Sequence, residues 1–259
     1  MEGRSQEASE RSGKVQGIGD EMQIEVIGYK GIVGGATYEL FTRLGYGPHG
    51  TDKGDPHSMA NVYFICVPEG AVEDVVRDLR KHLHIGSHAL IVVRSSVAPG
   101  TCRGLQSSLA FHICHNPEFL REVSAVQDEF NPDRVVIGEC CKHHGDMLES
   151  LYRPLRVPIV RTDPTTSELV KFASNNYLST VISYWNTVEE VAKRVGVSGH
   201  QVGMIASMDP RISSYGARFH GKYGGRCLPK DAQQLIKFSE SIGYDPILIK
   251  AVEEVNNLL

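Results

Sequence analysis

The chain has few aromatic residues, no excess of positive charge and no long apolar run. Its 259 residues are 7% aromatic and 22% charged, with 27 Lys and Arg against 31 Asp and Glu, a net charge of -4. This balance provides no broad cationic surface, so a nucleic-acid partner is not expected. The sequence has neither the roughly 18-residue apolar run that spans a bilayer nor, in its first twenty residues, the apolar segment of a secretion signal. These absences predict a cytoplasmic protein without a membrane partner.

Cysteine is also sparse, with six residues in the chain. Without a signal sequence, they are expected to be reduced thiols rather than a disulfide framework. Cys140 and Cys141 are followed by His143 and His144, but this spacing matches no standard zinc pattern. The sequence therefore predicts no metal site there.

Apolar β-rich runs alternate with helical stretches through residues 22–161. Such alternation predicts βαβ units, and the strands are apolar almost throughout, as in a parallel sheet with helices on both faces. We expect an α/β, Rossmann-like doubly wound parallel sheet in this first domain. The polar segment 1–21 before it is expected to be a mobile tail.

One long helix is predicted after this domain. Asp163 and Pro164 form an N-cap and first-turn pair, and neither Gly nor Pro recurs until Gly196. Such a helix would be about 45 Å long, more than a small domain's diameter. We therefore expect residues 162–259 to form a helical dimerisation domain in which this helix is the shared spine of a homodimer. A short helix, a glycine-rich loop at 209–227 and two further helices complete the prediction.

A glycine-rich loop joins the first predicted strand to the first helix. Its glycines are Gly28, Gly31 and Gly34, with Val33 also a candidate cofactor contact. A helix N-terminus behind such a loop can bind a pyrophosphate through backbone amides. However, the usual G-x-G-x-x-G fingerprint separates its first two glycines by one residue rather than two. A glycine turn without a ligand therefore stays open as an alternative.

A carboxylate about 20 residues beyond such a loop often accepts the ribose hydroxyls of NAD. Asp52, at the end of the second predicted strand, has this position. It favours NAD as the cofactor, whereas the adjacent Lys53 leaves NADP open.

Lys171 and Asn175 are four residues apart on the long helix, so their side chains lie on one face. A solvated lysine on an exposed face is the plainer interpretation. The surrounding residues are apolar, however, so a partly buried lysine beside an amide is a candidate oxyanion site.

Cys227 follows two glycines and precedes a proline and a helix. A helix N-terminus lowers a thiol pKa, and the nearby Lys230 and Asp231 supply a cation and a proton-handling carboxylate. Most cysteines are small core residues. This setting nevertheless predicts a reactive nucleophile.

Four stretches together identify a family resemblance: NPEFLREVSAVQDEFNPDRVVIGE, SELVKFASNN, DPRISS and YGGRCLPKD. In this order and spacing they resemble the UDP-glucose/GDP-mannose dehydrogenase family, from about residue 22 to the end of the chain. The resemblance implies that two NAD and one water convert a nucleotide sugar's primary alcohol, through an aldehyde, to a carboxylate. UDP-glucose is the expected substrate and GDP-mannose the nearest alternative.

The resemblance also implies residue roles. Cys227 would be the nucleophile that forms a thiohemiacetal and then a thioester, with Lys171 and Asn175 stabilising oxygen charge. The further catalytic candidates are Glu122 and Asp231, which could activate water, and Ser96, where the family usually has threonine. Ser96 and Lys230 are also candidate cofactor contacts. The further candidate substrate contacts are Glu118, Phe119, Leu120, Arg121, Arg211, Tyr223 and Gly224, of which Arg211 is expected to act across the dimer interface.

Three departures from the family bear on activity. The glycine fingerprint is shifted, several dozen residues are missing between Asp52 and the next strand, and a second doubly wound domain is expected to be absent. Two alternatives therefore remain: a β-hydroxyacid dehydrogenase performing a single oxidation, and a catalytically silent dimer. Cys227 argues against the first because a single oxidation needs no thiohemiacetal.

Overall fold

A computed structural model describes residues 22–83, 89–217 and 221–259. The predicted tail, residues 1–21, lies outside these residues, as do residues 218–220 of the predicted loop. The strands are β1 Ile24–Ile27, β2 His49–Thr51, β3 Val62–Ile65, β4 Leu90–Val93, β5 His112–His115, β6 Val135–Gly138 and β7 Ile159–Thr162. The helices are α1 Ile32–Arg43, α2 Glu69–His82, α3 Thr101–Leu109, α4 Ala125–Phe130, α5 Lys142–Tyr152, α6 Pro164–Arg194, α7 Gly199–Ala206, α8 Leu228–Ser241 and α9 Ile247–Asn257.

The seven strands form one sheet in the order β2-β1-β3-β4-β5-β6-β7. The prediction of a Rossmann-like α/β sheet is confirmed, and strands β1 to β5 are parallel. One strand pair departs from the parallel arrangement: β5 and β6 run antiparallel and share one residue pair, His115 with Gly138. The chain continues beyond β5 as a loop, and the Asn116 amide donates to Val136 O at 2.8 Å. Strand β6 therefore lies beside the loop that follows β5 and runs antiparallel to β5. A parallel pairing would have required a crossover connection between the two strands.

Both faces of the sheet are covered by helices. Strands β1, β3, β4 and β6 are buried at every position, and neighbouring residues belong to opposite apolar clusters. Phe64 packs with Leu40 of α1 and Leu148 of α5, while Ile65 packs with Val76 of α2 and Leu105 of α3. Successive strand residues point to opposite faces, so two-sided cover explains why the strands are uniformly apolar.

Helix α6 has 31 residues and confirms the predicted long helix. Asp163 is its N-cap and accepts a hydrogen bond from Thr166 N at 3.1 Å, which satisfies a free amide of the first turn. Pro164 opens the helix, and Gly196, with a φ of +75°, follows its end. Helices α7, α8 and α9 pack on α6. Among the described helices, none combines the length and the apolar composition needed to cross a membrane.

Candidate active site

A buried ion pair joins α6 to the loop that follows β5. The Lys171 ammonium donates to Glu118 O at 2.7 Å and to Glu118 Oε1 at 2.9 Å, and both residues are buried. Burial raises the pKa of the Glu118 carboxyl, but the charge of Lys171 and a hydrogen bond from Leu120 N outweigh it, so this pKa is lowered. The plainer interpretation of Lys171 as a solvated lysine is therefore wrong.

Asn175 lies one turn further along α6 and contacts the first turn of α8. Its amide donates to Asp231 Oδ2 at 2.6 Å, while the Lys230 ammonium lies 2.9 Å from Asp231 Oδ1. The Asn176 amide donates to the backbone oxygen of Asp231 at 3.3 Å. A fully buried carboxylate is thus held between the two helices.

Cys227 is the N-cap residue of α8 and is exposed. The pKa of its thiol is raised, first by partial burial and then by the charges of Glu118 and Asp231; Lys171 and Lys230 act in the opposite direction. The prediction of a lowered thiol pKa is wrong because desolvation and two carboxylates outweigh the cations. The same interactions place the thiol within electrostatic reach of both helix α6 and the loop after β5.

The loop after β5 also lines a cavity of about 460 Å³. Residues 118–121 line it. Two cations lie near the Phe119 ring, with Arg134 Cζ 4.1 Å and Lys171 Nζ 5.5 Å from its centroid. Arg121 is bound to Asp128, with their nearest atoms 2.5 Å apart. Glu118 therefore connects the cavity to the Lys171 and Cys227 cluster.

The wall of this cavity includes a buried polar network that the sequence did not indicate. Arg94, at the end of β4, donates to Asn116 Oδ1 at 2.9 Å, to Tyr152 Oη at 2.5 Å and to Glu129 Oε2 at 2.9 Å. The partners come from separate parts of the chain, so no local motif marks them. Their contacts fix the base of the loop that carries Glu118.

The glycine loop has the geometry of a pyrophosphate site. It contains one more residue between Gly28 and Gly31 than the usual fingerprint has between its first two glycines. Gly28 has a φ of +86°, and a Cβ on it would lie 2.5 Å from Cys66 O. Gly31 is the N-cap of α1 and has no capping side chain, which leaves first-turn amides for an anion. A Cβ on Gly34 would lie 2.1 Å from Gly28 O, so this glycine allows α1 to pack on the loop. The three glycines therefore fit the three roles of the dinucleotide fingerprint, and the loop fits NAD.

The other candidate cofactor residues lie at the ends of strands or in neighbouring turns. Gly28 N donates to Thr51 O at 2.8 Å, which places Asp52 and Lys53 beside the glycine loop, directly after β2. Ser96 lies just beyond β4 and is 8% exposed. Val33 belongs to the first turn of α1. All four follow or face the carboxyl ends of parallel strands, where dinucleotides bind in such sheets.

Several predicted site residues do not join the described cluster. Glu122 is exposed on the 3-10 turn Glu122–Ser124, and Arg211 is exposed and paired with Asp209 at 2.6 Å. The phenol of Tyr223 donates to Glu253 and its side chain is buried. Gly224 is exposed in the next position. The Tyr223 side chain thus anchors its loop to α9.

Comparison with known proteins identifies the family. Residues 48–156 match the UDP-glucose/GDP-mannose dehydrogenase family, NAD binding domain, and residues 165–258 match its central domain. In structure, the chain is similar to a UDP-glucose dehydrogenase from the hyperthermophilic archaeon Pyrobaculum islandicum, with a TM-score of 0.83 and 30% identity over 95% of this chain and 70% of that one. The fold is that of the NAD-binding domain and central domain of such dehydrogenases. The chain belongs to the UDP-glucose/GDP-mannose dehydrogenase family.

Two relatives show how the chain compares in length. UDP-glucose 6-dehydrogenase YwqF of Bacillus subtilis is 34% identical, covering 77% of this chain and 49% of its own. GDP-mannose 6-dehydrogenase of Pseudomonas syringae pv. tomato is 37% identical, covering 64% of this chain and 41% of its own. The chain therefore spans about half or less of these relatives.

Proposed function

We propose that this chain provides the NAD-binding and catalytic parts of a nucleotide-sugar 6-dehydrogenase that oxidises a primary alcohol to a carboxylate. The observation that carries the proposal is that the charges of Lys171, Glu118 and Asp231 all act on the Cys227 thiol at the start of α8. Helix α8 is itself joined to α6 by the hydrogen bond from Asn175 to Asp231. A nucleophilic thiol has a use in a double oxidation, in which the intermediate aldehyde must be held and activated. We likewise propose a division into a cofactor domain, 22–161, and a helical domain, 162–259.

NAD, when bound, accepts a hydride in each of the two oxidations. The residues that would hold it are those of the glycine loop, through backbone amides at the start of α1, and Asp52, through the ribose hydroxyls. Ser96 and Lys230 are the further residues proposed to contact it.

The chain's own contribution begins with the alcohol at C6 of the sugar. Loss of its hydroxyl proton and of a hydride from carbon gives the aldehyde. The Cys227 thiol then adds to the aldehyde: its sulfur bonds to the carbon and its proton passes to the oxygen, which gives a thiohemiacetal. Loss of a second hydride and the hydroxyl proton gives a thioester, which one water hydrolyses to the carboxylate and the free thiol.

Lys171 and Asn175 are proposed to donate to the oxygen on which negative charge develops. Both donors are buried and already oriented, Lys171 by Glu118 and Asn175 by Asp231, so little reorganisation is needed when charge forms. Asp231 is the better placed carboxylate for handling the water's protons, because it contacts Asn175 while Glu122 is exposed.

UDP-glucose is the proposed substrate and GDP-mannose the alternative, since the relatives carry both names. The sugar nucleotide is proposed to occupy the cavity lined by residues 118–121. A single oxidation of a β-hydroxyacid is the second candidate, favoured by the Lys171 and Asn175 pair and opposed by Cys227.

A homodimer is proposed through α6, whose outer face carries the exposed side chains of Tyr177 and Tyr184. Together with Arg211 and residues of α7, they line a shallow groove of about 340 Å³. Sedimentation equilibrium tests this proposal: Tyr184→Glu should shift a dimer toward the monomer, and a monomeric wild type would contradict it.

Absorbance of NADH tests the activity. The purified chain with NAD should form NADH when UDP-glucose is added. The same assay with GDP-mannose tests the alternative substrate. Cys227→Ser should form no carboxylate, whereas the neighbouring Arg226→Gln should behave as the wild type. Carboxylate formation by Cys227→Ser would contradict the covalent scheme, and turnover of a β-hydroxyacid without nucleotide sugars would favour the second candidate.

A further inference from the structure

Four potential metal ligands meet at the opposite end of β5 from the proposed active site. They are His112, Cys140, Cys141 and His144, whose ligand atoms all lie within 4.8 Å of one another. His112 begins β5, whereas Glu118 lies beyond the end of that strand. His112 and His115 are about 10 Å apart at the usual rise of a strand. The cluster is therefore separate from the Lys171 and Cys227 site.

The spacing of the ligand atoms matches a small tetrahedral site. His144 Nδ1 lies 3.0 Å from Cys141 Sγ and 3.5 Å from Cys140 Sγ. With bonds of about 2.3 Å to sulfur and about 2.05 Å to nitrogen, a tetrahedral zinc holds its sulfur and nitrogen ligands about 3.6 Å apart. The rings of His112 and His144 lie 4.3 Å apart between centroids. Small side-chain movements would therefore bring all four ligand atoms to bonding distance from one tetrahedral ion.

The surroundings also suit two thiolate ligands. Cys141 is the N-cap of α5 and makes no side-chain capping bond, so the positive end of the helix dipole lies next to it. The buried Cys114 thiol donates to Cys140 Sγ at 3.6 Å, and Cys140 N donates to Cys114 Sγ at 3.3 Å. Such outer contacts orient metal ligands.

We propose that His112, Cys140, Cys141 and His144 form a structural Zn²⁺ site. Two thiolates and two imidazoles are the ligands that zinc prefers, and two thiolates neutralise the charge of a divalent ion. Sequence spacing cannot reveal the site, because His112 belongs to β5 and the other three ligands to the connection between β6 and α5.

The proposed role is to join the two parts of the sheet. Strands β5 and β6 share a single residue pair, His115 with Gly138, whereas the neighbouring strand pairs share four each. Continued in the antiparallel direction, this register places His112 opposite Cys141. A bound ion would therefore fasten the junction with the fewest backbone pairs in the described sheet.

Metal titration of the full chain tests the site. The chain, reduced and freed of metal, carries Cys227→Ser so that the reactive thiol cannot contribute. We expect it to bind one Zn²⁺, and to give with Co²⁺ the d–d absorption of a tetrahedral ion together with thiolate charge transfer. His112→Gln and Cys141→Ser should each weaken binding by at least about 100-fold, whereas the adjacent His143→Gln should change it less than about threefold.

Thermal unfolding separates loss of the site from loss of the fold. The metal-free variants should unfold within a few degrees of the metal-free parent, and Zn²⁺ should raise the Tm of the parent and of His143→Gln but not of the other two. The proposal is overturned if the parent binds no Zn²⁺ or if its Co²⁺ spectrum lacks thiolate charge transfer. It is also overturned if His112→Gln and the parent bind Zn²⁺ with equal affinity. None of these readouts depends on dehydrogenase activity.

Discussion

Lys171 and Glu118, 53 residues apart in sequence, form a buried pair in which one ammonium binds both the backbone oxygen and the carboxylate of the same residue. The pair fixes the loop after β5 against α6. It also orients the Lys171 ammonium, the proposed donor to a developing oxyanion. One contact thus serves both the fold and the proposed chemistry.

Lys171→Met should leave the Glu118 carboxylate buried without its cation and lower the free energy of unfolding by about 3–5 kcal/mol. Adding Glu118→Gln should recover most of this loss because the buried charge is removed. Neither the single nor the double variant should turn over substrate, because both lack the Lys171 ammonium. Urea unfolding and NADH formation measure the two effects; a double variant no more stable than the single one would contradict the buried-charge explanation.

Cys227→Ser should abolish carboxylate formation while changing the free energy of unfolding by less than about 0.5 kcal/mol. The residue is exposed and its side chain makes no capping hydrogen bond to α8, so little packing depends on it. Denaturant unfolding with a product assay checks both. A large loss of stability would show that Cys227 has a structural role instead.

Gly34→Ala should disrupt the glycine loop and weaken NAD binding, since the added Cβ would lie 2.1 Å from Gly28 O. Gly104→Ala is the matched control: it lies inside α3, and a Cβ there has no neighbour within 4 Å. The control should bind NAD normally and gain about 0.5–1 kcal/mol of stability from helix propensity. Calorimetric titration with NAD compares them, and equal affinities would refute the role assigned to Gly34.

Acidification should destabilise the protein through His115. Burial, together with the charges of Lys171 and Arg94, lowers the pKa of this imidazole from 6.5 to about 3, against a hydrogen bond to Ser95 O that acts the other way. Between these values the unfolded chain binds the proton and the folded one does not, so stability falls as the pH drops below 6.5. The loss from pH 6.5 to 5 should be about 1.5 kcal/mol.

Urea unfolding at pH 6.5 and 5 checks this effect. His115→Gln should lose less stability than the wild type over that interval, by about the same 1.5 kcal/mol. The exposed His143→Gln is the control and should follow the wild type. Identical pH slopes for His115→Gln and the wild type would show that His115 is not the group responsible.

The elements were predictable from sequence where the signal is local. Uniformly apolar runs indicated the buried strands, and the Asp163-Pro164 start and the Gly196 end marked α6. The shifted glycine spacing was predicted to be a flaw, but the structure accommodates it as one extra residue between Gly28 and Gly31.

The rest depends on contacts between distant residues. Glu118 was predicted as a substrate contact, and its pairing with Lys171 appears only in three dimensions. The direction of β6 depends on the path of the loop after β5. The pKa of Cys227 was predicted from helix position and neighbouring cations, whereas burial and the Glu118 carboxylate determine its direction.

The most direct test of the account is the number of NADH formed per sugar consumed, with purified protein, excess NAD and limiting UDP-glucose followed to completion. A double oxidation through Cys227 predicts two NADH and one carboxylate for each sugar. One NADH per sugar, with the aldehyde released, would contradict the covalent scheme.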